Sequence, residues 1–144
     1  MVVLNLAGMF PGYASFGWVA DAIGRRRSFI LYTFIAALLV PFYAMARAPW
    51  ILMMAGTLLA FFGTGFFSGY AAIASEIFPG EIRAAAMGFS YNVGRGISAV
   101  APFVVGALAV KHGIGPAFLV QAGAFLVAAL LSLLLPETRG QRLT

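Results

Sequence analysis

Gly17-Trp18-Val19-Ala20-Asp21-Ala22-Ile23-Gly24-Arg25-Arg26-Arg27 joins two apolar stretches, and its reading decides the fold of this chain. Apolar sequence ends at Ala20. One carboxylate and a turn glycine follow, three arginines crowd together, and apolar sequence resumes after Ser28. A connection so short and so charged leaves no room for a domain. It sets the orientation of two membrane helices, and it carries charges able to pair with other loops on the same face.

The composition around this loop agrees. Of 144 residues, 62% are hydrophobic and 9% are charged, and the mean hydropathy is +0.99. Soluble domains carry about 25% charged residues, so a water-facing surface cannot be built from this chain. A polytopic, all-α membrane protein is the class that remains. The net charge of +5 does not indicate nucleic acid, because the basic residues sit at the ends of apolar spans rather than on a polar face. Cysteine is absent, which removes disulfides and thiolate metal sites. The N-terminal stretch lacks a basic leader region and is interrupted by Gly8, Pro11 and Gly12, so no cleaved leader is expected.

Five stretches are long enough to cross roughly 30 Å of hydrocarbon at about 1.5 Å per residue. They are expected at about 2–20, 28–46, 50–75, 84–110 and 114–135, with a polar tail over 136–144. Pro79 and Gly80 end the third helix and precede the fourth. Arg25, Arg26, Arg27, Arg83, Arg139 and Arg142 fall on one side of this bundle, Arg47 and Lys111 on the other. The excess of positive charge predicts a cytoplasmic first side, an outer N-terminus and a cytoplasmic C-terminus in a cell membrane. Trp18 and Trp50 mark opposite interfaces.

Glycine is distributed unevenly. The first, third and fourth spans carry Gly8, Gly12 and Gly17, then Gly56, Gly63, Gly65 and Gly69, then Gly88, Gly94, Gly96 and Gly106. Pairs four apart let helix backbones approach closely. These three spans are therefore expected to pack inward or line a path, and the glycine-poor second and fifth to face lipid. Glycine is also simply common in membrane helices.

The opening loop resembles the Gly-x-x-x-Asp-(Arg/Lys)-x-Gly-Arg-(Arg/Lys)-(Arg/Lys) signature of the major facilitator superfamily, departing from it at Ala22. Three more segments resemble that family. Glu76-Ile77-Phe78-Pro79-Gly80-Glu81-Ile82-Arg83 is similar to its Glu-x-x-Pro-x-x-x-Arg loop. Gly88-Phe89-Ser90-Tyr91-Asn92-Val93-Gly94-Arg95-Gly96 with Ala101-Pro102 looks like the eleventh helix of its organic-acid branch. Leu135-Pro136-Glu137-Thr138-Arg139-Gly140 is similar to the exit from its twelfth helix. The resemblance implies helices eight to twelve, most of the C-terminal half of a twelve-helix porter. The loop signature also follows the family's second helix, which would make these helices two to six; the Pro-Glu-Thr-Arg-Gly ending favours the C-terminal half. The implied activity is secondary active transport of a small organic anion or metabolite by alternating access with proton coupling, in a bacterial inner membrane. The implied partners are the small-molecule substrate, the lipid bilayer and the missing N-terminal half.

Arg95 is the sharpest single residue. It lies about eleven residues into its span, roughly 16 Å deep, where an arginine costs about 2.5–3.5 kcal/mol on insertion scales and should face a cavity or a partner. Tyr91, Arg95 and Ser98 share one helical face with Asn92 at its edge. The planar guanidinium suits a carboxylate, so these four residues form the candidate substrate site; the competing reading is a structural ion pair. Asn5, Thr57, Thr64, Ser68 and Tyr70 are weaker candidates, because small polar residues in membrane helices more often bond a backbone carbonyl or an adjacent helix.

The carboxylates Asp21, Glu76, Glu81 and Glu137 all sit at the ends of spans and none lies within one. A proton carrier at mid-membrane would therefore have to come from the missing half. Asp21, Arg25, Arg26, Glu76 and Arg83 instead suit a charge network that latches one conformation, with Asp21 near Arg83 and Glu76 near Arg25 or Arg26. An enzyme is not expected. The single histidine, His112, lies in an outer loop, and no metal set or nucleophile–base pair can be assembled, so no cofactor is implied. A sugar or drug porter, or a non-transporting membrane scaffold, would carry the same loops.

Overall fold

A computed structural model describes the backbone of residues 2–137 and the side chains of residues 6–137. Asn5 as a side chain, and Thr138, Arg139, Gly140 and Arg142 entirely, lie outside the described residues. The described chain is all helix, in the order α1 (Val2–Ile23), α2 (Arg25–Met45), α3 (Pro49–Ile77), α4 (Arg83–Ser98), α5 (Ala101–His112) and α6 (Ile114–Leu131), closed by a single 3-10 turn at Ser132–Leu134. Among the described residues, four stretches are long and apolar enough to cross a membrane: Arg25–Met45, Pro49–Ile77, Arg83–His112 and Ile114–Leu134. α1, with 22 residues, has the length to do so as well.

Each boundary has a local cause. Gly24 separates α1 from α2 at φ 104°, a left-handed backbone that suits glycine because it has no Cβ. Pro49 opens α3 in the first turn, where its missing N–H would have had no partner anyway. Gly113, at φ 88°, ends α5 and precedes α6.

In a bilayer, apolar faces gain little by leaving lipid for one another, so close backbone approach and interhelical hydrogen bonds carry the packing. α1 and α3 meet in this way. A Cβ on Gly8 would run into the Thr57 carbonyl, one on Gly12 into the Phe61 carbonyl, and one on Gly69 into the Phe16 ring. At the same seam Phe16, Ala20 and Tyr32 form a buried cluster. The Phe16 and Tyr32 rings meet edge to face with centroids 5.1 Å apart. The Tyr32 hydroxyl shares a 2.9 Å hydrogen bond with Ser15, so its polar end is satisfied away from water.

One expectation changes. The second helix is not a purely lipid-facing one. α2 packs against α1, α3 and α6, and Ser28, Tyr32, Thr33, Ala36, Ala37 and Val40 are all buried. Tyr32 and a stripe of small and β-branched side chains achieve this without glycine, while Leu38 and Phe42 on the opposite stripe stay exposed. α4 buries no residue, and a Cβ on Gly88, Gly94 or Gly96 would meet nothing within 4 Å.

The fourth span is also not one helix. It breaks at Ala99–Val100, because Pro102 has no N–H to offer the Ser98 carbonyl. Val100 N–H turns back to the Ile97 carbonyl at 3.2 Å, and the chain restarts as α5.

Candidate functional site

Two groups of polar residues stand out, and each is built by several helices. The first lies where α1, α2, α3 and the exit from α6 come together. Arg25, the first residue of α2, donates from one terminal nitrogen to Asp21 at the end of α1 and from Nε to Glu76 near the end of α3, the latter at 3.4 Å. The Asp21 carboxylate therefore pairs with Arg25 rather than with Arg83. The two sit four residues apart across a Gly24 turn that keeps helical hydrogen bonding on both sides, so they face each other. Arg83 instead donates from Nε to the Phe78 carbonyl at 3.1 Å, which ties the α3–α4 loop to α4. Arg26 takes no hydrogen bond or ion pair among the described residues.

A further carboxylate joins this group that the sequence reading had placed only at the membrane boundary. The backbone N–H of Arg25 donates to Glu137 Oε1 at 2.8 Å. A carboxylate at a helix N-terminus meets free N–H groups and the positive end of the helix dipole. A Cβ on Gly24 would come within 2.5 Å of that carboxylate, so glycine here supplies both the φ and the space. The only sequence signal was an acidic residue after the last span and an uncapped arginine-rich helix start more than a hundred positions earlier.

The second group surrounds Arg95. It opens on a cavity of about 520 Å³ floored by Phe29 of α2, walled by Phe66, Phe67 and Tyr70 of α3, and closed by Tyr91, Arg95 and Ser98 of α4. Arg95 donates to the Tyr91 hydroxyl at 3.3 Å, with its guanidinium carbon 5.7 Å from the ring centroid. It makes no ion pair among the described residues. Ser98 donates to the Arg95 carbonyl at 2.8 Å, with the backbone break just beyond.

Asn92 is turned away: its amide donates to the Gly88 carbonyl at 2.8 Å, and it does not line the cavity. Tyr70, ranked among the weak candidates, lies on the cavity wall. Its hydroxyl bonds Ser90 at 2.6 Å and the Met87 carbonyl at 2.9 Å, so it joins α3 to α4. The other weak candidates follow the expected local pattern, since Thr57, Thr64 and Ser68 each donate to a carbonyl of their own helix. The Phe29, Phe66 and Phe67 walls were not foreseen, because in sequence they look like any lipid-facing phenylalanine.

The whole chain, residues 1–144, matches the family model described as Major Facilitator Superfamily. Among curated proteins it is 35% identical to an inner membrane metabolite transport protein of Escherichia coli, over 99% of this chain and 33% of that protein. It is 31% identical to the niacin transporter of Acinetobacter baylyi, over 99% of this chain and 33% of that one. It is 32% identical to the cis,cis-muconate transport protein of the same organism, over 90% of this chain and 32% of that one. The chain thus spans about a third of the length of the curated relatives it matches.

Proposed function

The chain belongs to the Major Facilitator Superfamily, and from that premise we propose that it supplies helices eight to twelve of a transporter for small organic carboxylates. The observation that carries the substrate class is Arg95, a mid-span cation with no carboxylate partner among the described residues, set in a cavity walled by aromatic rings. A guanidinium binds a carboxylate through two parallel N–H donors, and the rings of Phe66, Phe67 and Tyr91 offer faces to a flat, unsaturated skeleton. The names of two relatives, a niacin transporter and a cis,cis-muconate transport protein, support this class. Transport would proceed by alternating access against the remaining helices, with proton coupling carried by groups outside this chain.

The test is equilibrium binding to the purified protein in lipid nanodiscs, with benzoate and methyl benzoate as probes. The two share a ring and differ in charge. Benzoate is expected to bind at least about tenfold more tightly, since charge-assisted hydrogen bonds contribute about 1.5–3 kcal/mol each. Equal affinity would remove the anion reading.

The proposed orientation puts the Gly24–Arg27 and Pro79–Gly80 loops in the cytoplasm and the Ala46–Ala48 loop outside. With no native cysteine in the chain, single cysteines at Ala48 and Gly80 give a direct readout in intact cells. An impermeant maleimide should modify Ala48→Cys and spare Gly80→Cys. The reverse pattern would invert the topology.

A further inference from the structure

α2 packs against both α3 and α6. A second cavity, of about 360 Å³, is lined by Tyr43 of α2, Gly63 and Thr64 of α3, and Phe118, Gln121 and Phe125 of α6, with Met9 of α1 beside them. Phe125 links the linings of the two cavities. Its ring stands perpendicular to that of Phe66, with centroids 6.2 Å apart, and Phe66 belongs to the Arg95 wall.

The second cavity differs in chemistry from the first. No charged side chain lines it. The Thr64 hydroxyl is spent on the Ala60 carbonyl of its own helix. The Tyr43 ring is held edge to face against Phe118 at 5.7 Å, yet its hydroxyl makes no hydrogen bond among the described residues, and neither does the Gln121 amide. Two polar side chains thus line one cavity, Tyr43 half-buried and Gln121 exposed, each with hydrogen-bonding capacity left over. A glutamine amide presents an N–H donor and a carbonyl acceptor side by side. Its complement is another amide, or a carboxylic acid that has kept its proton. Aromatic rings from two helices, Tyr43 of α2 with Phe118 and Phe125 of α6, belong to the same lining, and the volume is within the range of small-molecule pockets.

We propose that this cavity is a second binding chamber, specific for a flat, neutral molecule with a carboxamide or protonated carboxyl edge, held by Gln121 and Tyr43 and distinct from the Arg95 cavity. The assignment does not depend on the anion reading of Arg95.

The test is fluorine NMR of para-fluorobenzamide titrated onto the protein in phosphatidylcholine nanodiscs at neutral pH. Saturable binding is expected despite the excess of lipid. Gln121→Leu should weaken it by about tenfold or more, the equivalent of about 1.4 kcal/mol. Tyr43→Phe removes one oxygen and should weaken it about threefold, within the range of a single hydrogen bond. Saturating benzoate should leave the amide in place. An absence of saturable binding would mean that lipid or nothing fills the cavity, and would overturn the proposal. Wild-type affinity in Gln121→Leu or in Tyr43→Phe would overturn it too, as would displacement by benzoate, which would put both probes in the Arg95 cavity.

Discussion

Arg95→Gln should weaken benzoate binding by about thirtyfold or more, because it removes charge-assisted hydrogen bonds that contribute about 1.5–3 kcal/mol each. The loss has two sources. The glutamine cannot neutralise the carboxylate, and its single NH₂ cannot reproduce the two parallel donors of guanidinium. Arg95→Lys separates them, since it keeps the charge and loses the fork; its expected loss is intermediate, about tenfold. A structural role for Arg95 gives a different pattern. In that case both variants lower thermal stability and leave the preference for benzoate over its ester unchanged. The contacts favour the first outcome, since the only side-chain bond of Arg95 among the described residues is the 3.3 Å one to Tyr91 on the same helix. Equal affinities in wild type and Arg95→Gln would take Arg95 out of the site.

Arg25→Gln should have the second large effect, on conformational balance rather than on affinity. Arg25 is the shared partner of Asp21 and Glu76, so its loss removes the cation that links the end of α1 to the end of α3. If this cluster latches one state of the transporter, the equilibrium should shift by about 1–3 kcal/mol, or roughly 5- to 150-fold. The neighbouring cavity of about 170 Å³, lined by Asp21, Arg25 and Ser68, gives a reporter. A cysteine at Ser68 should react with a small maleimide at least about fivefold faster in the Arg25→Gln background, at the lower end of that coupling. Asp21→Asn and Glu76→Gln, which each remove one arm, should show smaller shifts in the same direction. Unchanged labelling in all three would reduce the cluster to topology and solvation.

Much of this architecture was legible in the residues. Runs of apolar sequence about 20 residues long, broken by charged loops, specify membrane helices whatever surrounds them, because unpaired backbone groups cannot be left in lipid. The loop at Gly17–Arg27 and the exit at Pro136–Gly140 carried the family. Helical periodicity put Tyr91, Arg95 and Ser98 on one face, and the cavity is lined by those three while Asn92 is turned aside. Gly8, Gly12 and Gly69 were legible as sites of close approach, though not the carbonyls and ring they approach.

The remainder depends on which helix lies beside which. All spans are nearly equally apolar, and lipid competes with each on equal terms, so hydropathy does not rank them by burial. For that reason α2 could be buried against three neighbours without glycine, through Tyr32 and a stripe of small and β-branched side chains, while a Cβ on Gly88, Gly94 or Gly96 of α4 would meet nothing. Glu137 reaches the start of α2 only because α6 is packed against it. Phe66 and Phe125 look like ordinary lipid-facing residues until the fold sets their two rings edge to face. Local chemistry determines what each helix can offer; the contacts between helices, set by shape across long separations in sequence, determine which of those groups face one another.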